Sequence, residues 1–175
     1  MYSENRAIRR LIGVGIFGGL TLLTSIVGSI VNVRGMQSWY DALEKPSFQP
    51  PGVAFGIAWT ILYVMIAIAG VRVFLAPSSR DRTRALTLWF VQLALNFAWT
   101  PLFFGLQRPW LALADMVALI FVTGAFIRVA RRVDSAASWM FLPYLLWLGF
   151  AATLNAEIIR LNPEWARSAM TVLNG

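Results

Sequence analysis

Five apolar stretches, near residues 8–31, 52–76, 85–106, 110–129 and 137–160, leave this chain few ways to fold. Each is long enough to cross a hydrocarbon core of about 30 Å, which takes roughly 20 helical residues. Open strands are excluded, because their unpaired backbone groups would have no partners in lipid. The alternation over about ten residues that marks a barrel strand is missing as well. The sequence therefore predicts an all-α membrane protein, one domain built as a bundle of five transmembrane helices. Composition agrees: 58% of the 175 residues are apolar and 13% charged. A soluble domain carries about 25% charge, and a chain this long buries only about 70% of the surface it would otherwise expose.

The net charge of +7 is not read as a nucleic-acid footprint, since the arginines sit at the ends of apolar runs and not along one face. The first run follows Arg6, Arg9 and Arg10, as a signal peptide would. Its apolar part exceeds the usual 7–15 residues and no small-x-small site closes it, so it is read as a retained helix. With five spans, ten arginines fall on the side of the N-terminus: Arg6, Arg9, Arg10, Arg72, Arg80, Arg82, Arg84, Arg128, Arg131 and Arg132. The opposite side collects five cations, namely Arg34, Lys45, Arg108, Arg160 and Arg167. The positive-inside tendency then predicts a cytoplasmic N-terminus if the protein lies in an inner membrane. The chain has no cysteine and no histidine. Disulfides, thiolate metal sites, Cys or His nucleophiles and haem ligation by either residue are excluded, and no metal site is expected. A methionine or tyrosine haem ligand stays formally open.

Residues 32–51 form one long connection, with Pro46, Pro50 and Pro51 inside six residues. Prolines fix φ and remove backbone donors, so this segment is stiff. It reads either as an interfacial turn anchored by aromatics or as a lid over a cavity, and its length favours the lid. Trp59 and Tyr63 share one face of the second helix. Gln92, Asn96, Trp99 and Phe103 stripe the third, and Tyr144, Trp147, Ala151 and Asn155 the fifth. Singly, such stripes are ordinary packing, and membrane amides ordinarily join helices. Three of them beneath one rigid loop would line an aromatic pocket with a few amide donors, better suited to a large planar ligand than to a sugar or an ion. Asp115, near the start of the fourth helix, is expected to be structural, eased by the helix dipole. Glu157 and Arg160 are spaced to pair. Gly15 with Gly19, Ala94 with Ala98 and Ala114 with Ala118 would allow close helix approach, within the fold or between protomers.

The stretches WYDALEKPSFQPP at 39–51, AWTILY at 58–63, QLALNFAWTPLFFG at 92–105 and PYLLWLGFAATLN at 143–155 together resemble the TspO family, also called the translocator protein or peripheral-type benzodiazepine receptor family. The resemblance spans about 30–162. It implies a five-helix bundle, usually a homodimer in membrane lipid, with a cavity closed by the first loop. The implied ligands are porphyrins such as protoporphyrin IX and haem, benzodiazepine-site drugs and, in animals, cholesterol, with no required cofactor. Tyr40, Trp59, Tyr63, Asn96, Trp147, Ala151 and Leu154 match ligand-contacting positions, and Pro50 matches a loop proline near the pocket. The stripe adds Trp99 and Phe103. Phe48 stands where many relatives carry tryptophan. The tyrosine that the animal cholesterol motif needs after Leu154-Asn155 is absent, which argues against tight cholesterol binding. Three functions follow as expectations. The first is a porphyrin-binding receptor or regulator. The second is a porphyrin transporter, and the third a catalyst of light-dependent porphyrin breakdown in which Trp59 and Trp147 relay an electron. No His, Cys or paired carboxylates supply another catalytic set.

Overall fold

The computed structural model describes residues 2–35 and 39–164. Of the charges counted above, the side chains of Arg6 and Arg34 and all of Arg167 lie outside the described residues. Among those described, the secondary structure is helical and five helices are long and apolar enough to span a membrane. We label them α1 (Tyr2–Gly13, a π-helical turn Val14–Gly18, then Gly19–Gly35), α2 (Gly52–Leu75), α3 (Arg80–Thr100, extended by a π-helical turn Pro101–Gly105), α4 (Pro109–Ala130) and α5 (Ser135–Leu161). The helix ends follow local chemistry. Ser79 caps α3 by accepting from the Arg82 N–H at 3.1 Å, and Asp134 caps α5 through the Ala137 N–H at 2.9 Å. The sequence placed the start of α3 at residue 85, where the apolar pattern begins. The helix starts five residues earlier because its capped, charged first turn projects beyond the hydrocarbon.

α4 packs between α3 and α5, while α2 closes the bundle against α5 and α1. The buried face of α4 runs Pro109, Ala112, Met116, Leu119, Thr123, Phe126 and Ala130, alternating three and four residues apart. That spacing is the seam of a left-handed bundle. A close crossing lies where α1, α2 and α3 meet. There Phe17 sits edge-on to Trp89 at 4.6 Å, and the Trp89 indole donates to the Ile66 carbonyl at 2.9 Å. This closeness is possible because Gly70 has no side chain. A Cβ there would overlap the Phe17 ring and come within 2.8 Å of Trp89. The small pairs read from the sequence do not serve the internal packing: Gly15, Gly19, Ala94, Ala114 and Ala118 are exposed, and Ala98 is half-buried.

At the end where α2, α3, α4 and α5 turn, Arg72 reaches Asp134 through Nε and Nη2, both at 3.0 Å. Burial alone would raise the Asp134 pKa, but the Arg72 hydrogen bond and the Ala137 amide outweigh it and hold the carboxyl below its usual value. The short turn between α3 and α4 puts Gln107 at φ 55°, the left-handed region.

Two outcomes follow from this packing. Gly70→Ala is expected to lower stability by about 1–3 kcal/mol through overpacking, read as a reduced melting temperature in detergent. Asp134→Asn keeps the cap but loses the charge, at a cost of about 0.5–1 kcal/mol at neutral pH. Since the folded-state pKa is depressed, that contribution is present above the unfolded value of about 3.9 and disappears as pH falls through the folded one. Melting curves of wild type and variant should therefore differ at pH 7 and converge at strongly acidic pH.

Candidate ligand cavity

The described part of the loop between α1 and α2, residues 39–51, is a folded element. Trp39 and Leu43 are buried and pack with Phe103, Ala112 and Ile158. Tyr40 donates to Gln49 Oε1 at 3.1 Å across the loop, and the Lys45 ammonium lies 5.0 Å from the Tyr40 ring centre. Burial pushes the Tyr40 phenol up in pKa, so it remains a neutral donor. The far side of the loop is tied to the end of α5: the Glu44 N–H donates to Asn162 Oδ1, and Asn162 Nδ2 donates to the Glu44 carbonyl, both at 2.9 Å. Packed through Trp39 and Leu43 and tied to α5 through Glu44, this segment lies over the ends of α3, α4 and α5.

Beneath it lies a cavity of about 450 Å³, bordered by Tyr40, Lys45 and Gln49 above and by Trp59, Trp99, Phe103, Trp147, Ala151 and Leu154 at the sides. A second lobe of about 300 Å³ shares Trp59, Trp99 and Met116 with the first and runs along α1 and α2 to Tyr63 and Asn96. The walls are aromatic pairs. Trp59 stacks on Tyr63 at 5.2 Å, Trp99 stacks on Phe103 at 5.0 Å, and Trp147 meets Trp59 edge-on at 6.3 Å. Below them, Tyr63 donates to Asn96 Oδ1 at 2.8 Å, and Asn96 Nδ2 donates to the Tyr144 hydroxyl at 3.0 Å. This chain ties α2, α3 and α5 together.

By contrast, the indole N–H groups of Trp99 and Trp147 and Asn32 Oδ1 are buried without a hydrogen-bond partner among the described residues. All three side chains border the cavity. Each such group costs about 1–3 kcal/mol unless something satisfies it.

Of the residues read from the sequence, Tyr40, Trp59, Trp99, Phe103, Trp147, Ala151 and Leu154 border the upper lobe, and Tyr63 and Asn96 the lower. Pro50 is half-buried in the loop and borders neither lobe. Asn155 borders the upper lobe and faces the start of α4; with its amide turned so that both atoms find partners, it donates to the Pro109 carbonyl at 3.2 Å and accepts from the Leu113 N–H at 3.1 Å. Asp115 is half-buried with Oδ2 fully enclosed and unpaired among the described residues, and Glu157 pairs with Arg160 at 2.6 Å. Gln92 is buried in the α3 core and its amide has no partner there. Two groups escaped the sequence reading. Ser25, Ser29 and Asn32 form a polar stripe on α1 that helical spacing alone would have revealed. Phe104 joins Phe103 at the cavity where α3 runs on into a π turn, closed by the Leu106 N–H on the Pro101 carbonyl at 2.8 Å.

A helical bundle of this kind, with an aromatic cavity under a pinned loop, defines a multi-pass integral membrane protein. The profile of the TspO/MBR family matches residues 17–161. The chain is 40% identical over 144 residues to the tryptophan-rich protein TspO of Archaeoglobus fulgidus, covering 81% of this chain and 91% of that one. It is 40% identical over 129 residues to the tryptophan-rich sensory protein of Cereibacter sphaeroides, covering 74% and 78% of the two chains. With the human translocator protein it shares 35% identity over 153 residues, covering 84% and 90%. The chain belongs to the TspO/MBR family.

Asn162→Ala removes the tie between loop and α5 without touching the cavity wall. Amide hydrogen exchange across residues 39–49 should accelerate about tenfold, as expected when two hydrogen bonds worth about 1 kcal/mol each are lost in part to water.

Proposed function

We propose that the protein is a membrane receptor or regulator that binds porphyrins, such as protoporphyrin IX or haem, in the cavity beneath its first loop. The unpartnered indole N–H groups of Trp99 and Trp147 in an aromatic-walled space carry this reading. Flat π surfaces stack against such walls, and the indoles supply donors for acceptors on the ligand edge. Lys45, at the mouth and 3.9 Å from Asp41, stands where a ligand carboxylate would meet a cation. No cofactor is part of this proposal. A relative named a sensory protein fits a regulatory role. A homodimer is proposed on the same footing, through the outward-facing small residues of α1, α3 or α4.

Tryptophan fluorescence of the detergent-purified protein tests the reading by titration with protoporphyrin IX in the dark. Saturable quenching is expected, weakened about tenfold by Trp147→Ala, which loses a ring contact and a donor, or by Tyr40→Ala, which loses a ring contact and the tie to Gln49. Quenching that is linear and unchanged in both variants would remove the porphyrin from the cavity. Repeating the titration under light separates binding from breakdown. Loss of porphyrin absorbance that stops in Trp59→Phe or Trp147→Phe would favour the catalytic reading.

A further inference from the structure

The end of the bundle opposite the loop is strongly basic. The described side chains there include Arg9, Arg10, Arg72, Arg80, Arg82, Arg84, Arg128, Arg131 and Arg132, against the carboxylates of Asp81 and Asp134 alone. Most of the inward ones are committed. Arg72 holds Asp134 at 3.0 Å, and Arg82 donates through Nη2 to the Phe74 carbonyl at 2.8 Å. Asp81 is shared loosely between Arg84 at 3.6 Å and Arg132 at 3.9 Å. Arg80 is exposed and has no protein partner among the described residues.

Arg80 and Arg84 flank a groove of about 560 Å³ on the outer face of α3, floored by Leu88 and by Val129 of α4. Thr83 and Thr87 line it, but their hydroxyl protons are spent on the carbonyls of Ser79 and Thr83, at 3.3 and 3.1 Å. The groove therefore changes character along its length. Guanidiniums stand at the water-facing end, self-satisfied hydroxyls follow, and then an apolar floor begins. From Arg80 to Thr87 the helix rises roughly 10 Å, about the distance from a lipid phosphate past the glycerol to the first methylenes.

We propose that this groove is a binding site for an anionic phospholipid, its phosphate between Arg80 and Arg84 and its upper acyl chain over Leu88 and Val129. A soluble anion would use only the outer end and leave the apolar floor wet. A zwitterionic lipid brings a cation to the same arginines and loses the charge complementarity. Basic pockets between transmembrane helices hold anionic headgroups elsewhere for the same reason. The inference is independent of the cavity, which lies at the opposite end of the bundle.

Native mass spectrometry of the full chain in detergent, with phosphatidylglycerol or phosphatidylcholine added, tests it. Phosphatidylglycerol should be retained preferentially. Arg80→Gln with Arg84→Gln should weaken retention about tenfold or more, and Arg131→Gln should change it less than about twofold. Leu88→Trp fills the floor without altering charge and should also reduce retention. Unchanged melting temperatures would show that these variants fold. An equal loss in Arg131→Gln would mean diffuse charge attraction and overturn the site. Binding of glycerol 3-phosphate as tight as that of the lipid would make it a simple anion site and overturn the lipid as occupant. A shift from dimer to monomer in the double variant would assign the face to a second copy of the chain, with the same consequence.

Discussion

The Asn96 amide holds the middle of this bundle together. It accepts from Tyr63 at 2.8 Å and donates to Tyr144 at 3.0 Å, linking three helices in the middle of the bundle. Interhelical hydrogen bonds in membranes contribute modestly, averaging about 0.6 kcal/mol and reaching about 1–2. Their geometric consequence is larger, because polar groups in hydrocarbon restrict the rotations that a helix can adopt. Once α2, α3 and α5 are set about Asn96, Trp59, Trp99 and Trp147 on the turns above turn toward one another.

Above this level the helices part, and departures from regular helix shape the space. The π turn Pro101–Gly105 brings Phe103 and Phe104 side by side toward the loop. Trp39, Tyr40 and Leu43 close on those rings, so the cover and the wall stabilise each other. Asn162 completes the closure from α5. The cavity thus depends on three unlike features: a central amide, a π turn and a pinned loop. At the opposite end the bundle is consolidated by charge, with Arg72, Asp134 and Arg82 joining the turns between helices.

Much of this was legible in the chain, because the bilayer reduces backbone options to one. Five apolar runs became five helices, and period-3.6 stripes placed Trp59, Tyr63, Asn96, Trp99, Phe103 and Trp147 around one space. The capped starts at Ser79 and Asp134 were equally present in the sequence, though the apolar pattern began later and drew the boundaries inward.

Other features required the tertiary structure. No local signal distinguishes the amide of Asn96, bonded to two tyrosines, from the indole N–H groups of Trp99 and Trp147, which have no partner among the described residues. The proximity of Glu44 and Asn162, 118 residues apart, is equally silent in the sequence. Gly70 looked like any other membrane glycine until Phe17 and Trp89 were seen to occupy the space that its Cβ would need. Length and hydropathy are properties of a segment, and the solvent alone converts them into helices. Which polar atoms are satisfied, and which small residues are crowded, depends on pairs of segments, and the sequence carries that information only after the helices have packed.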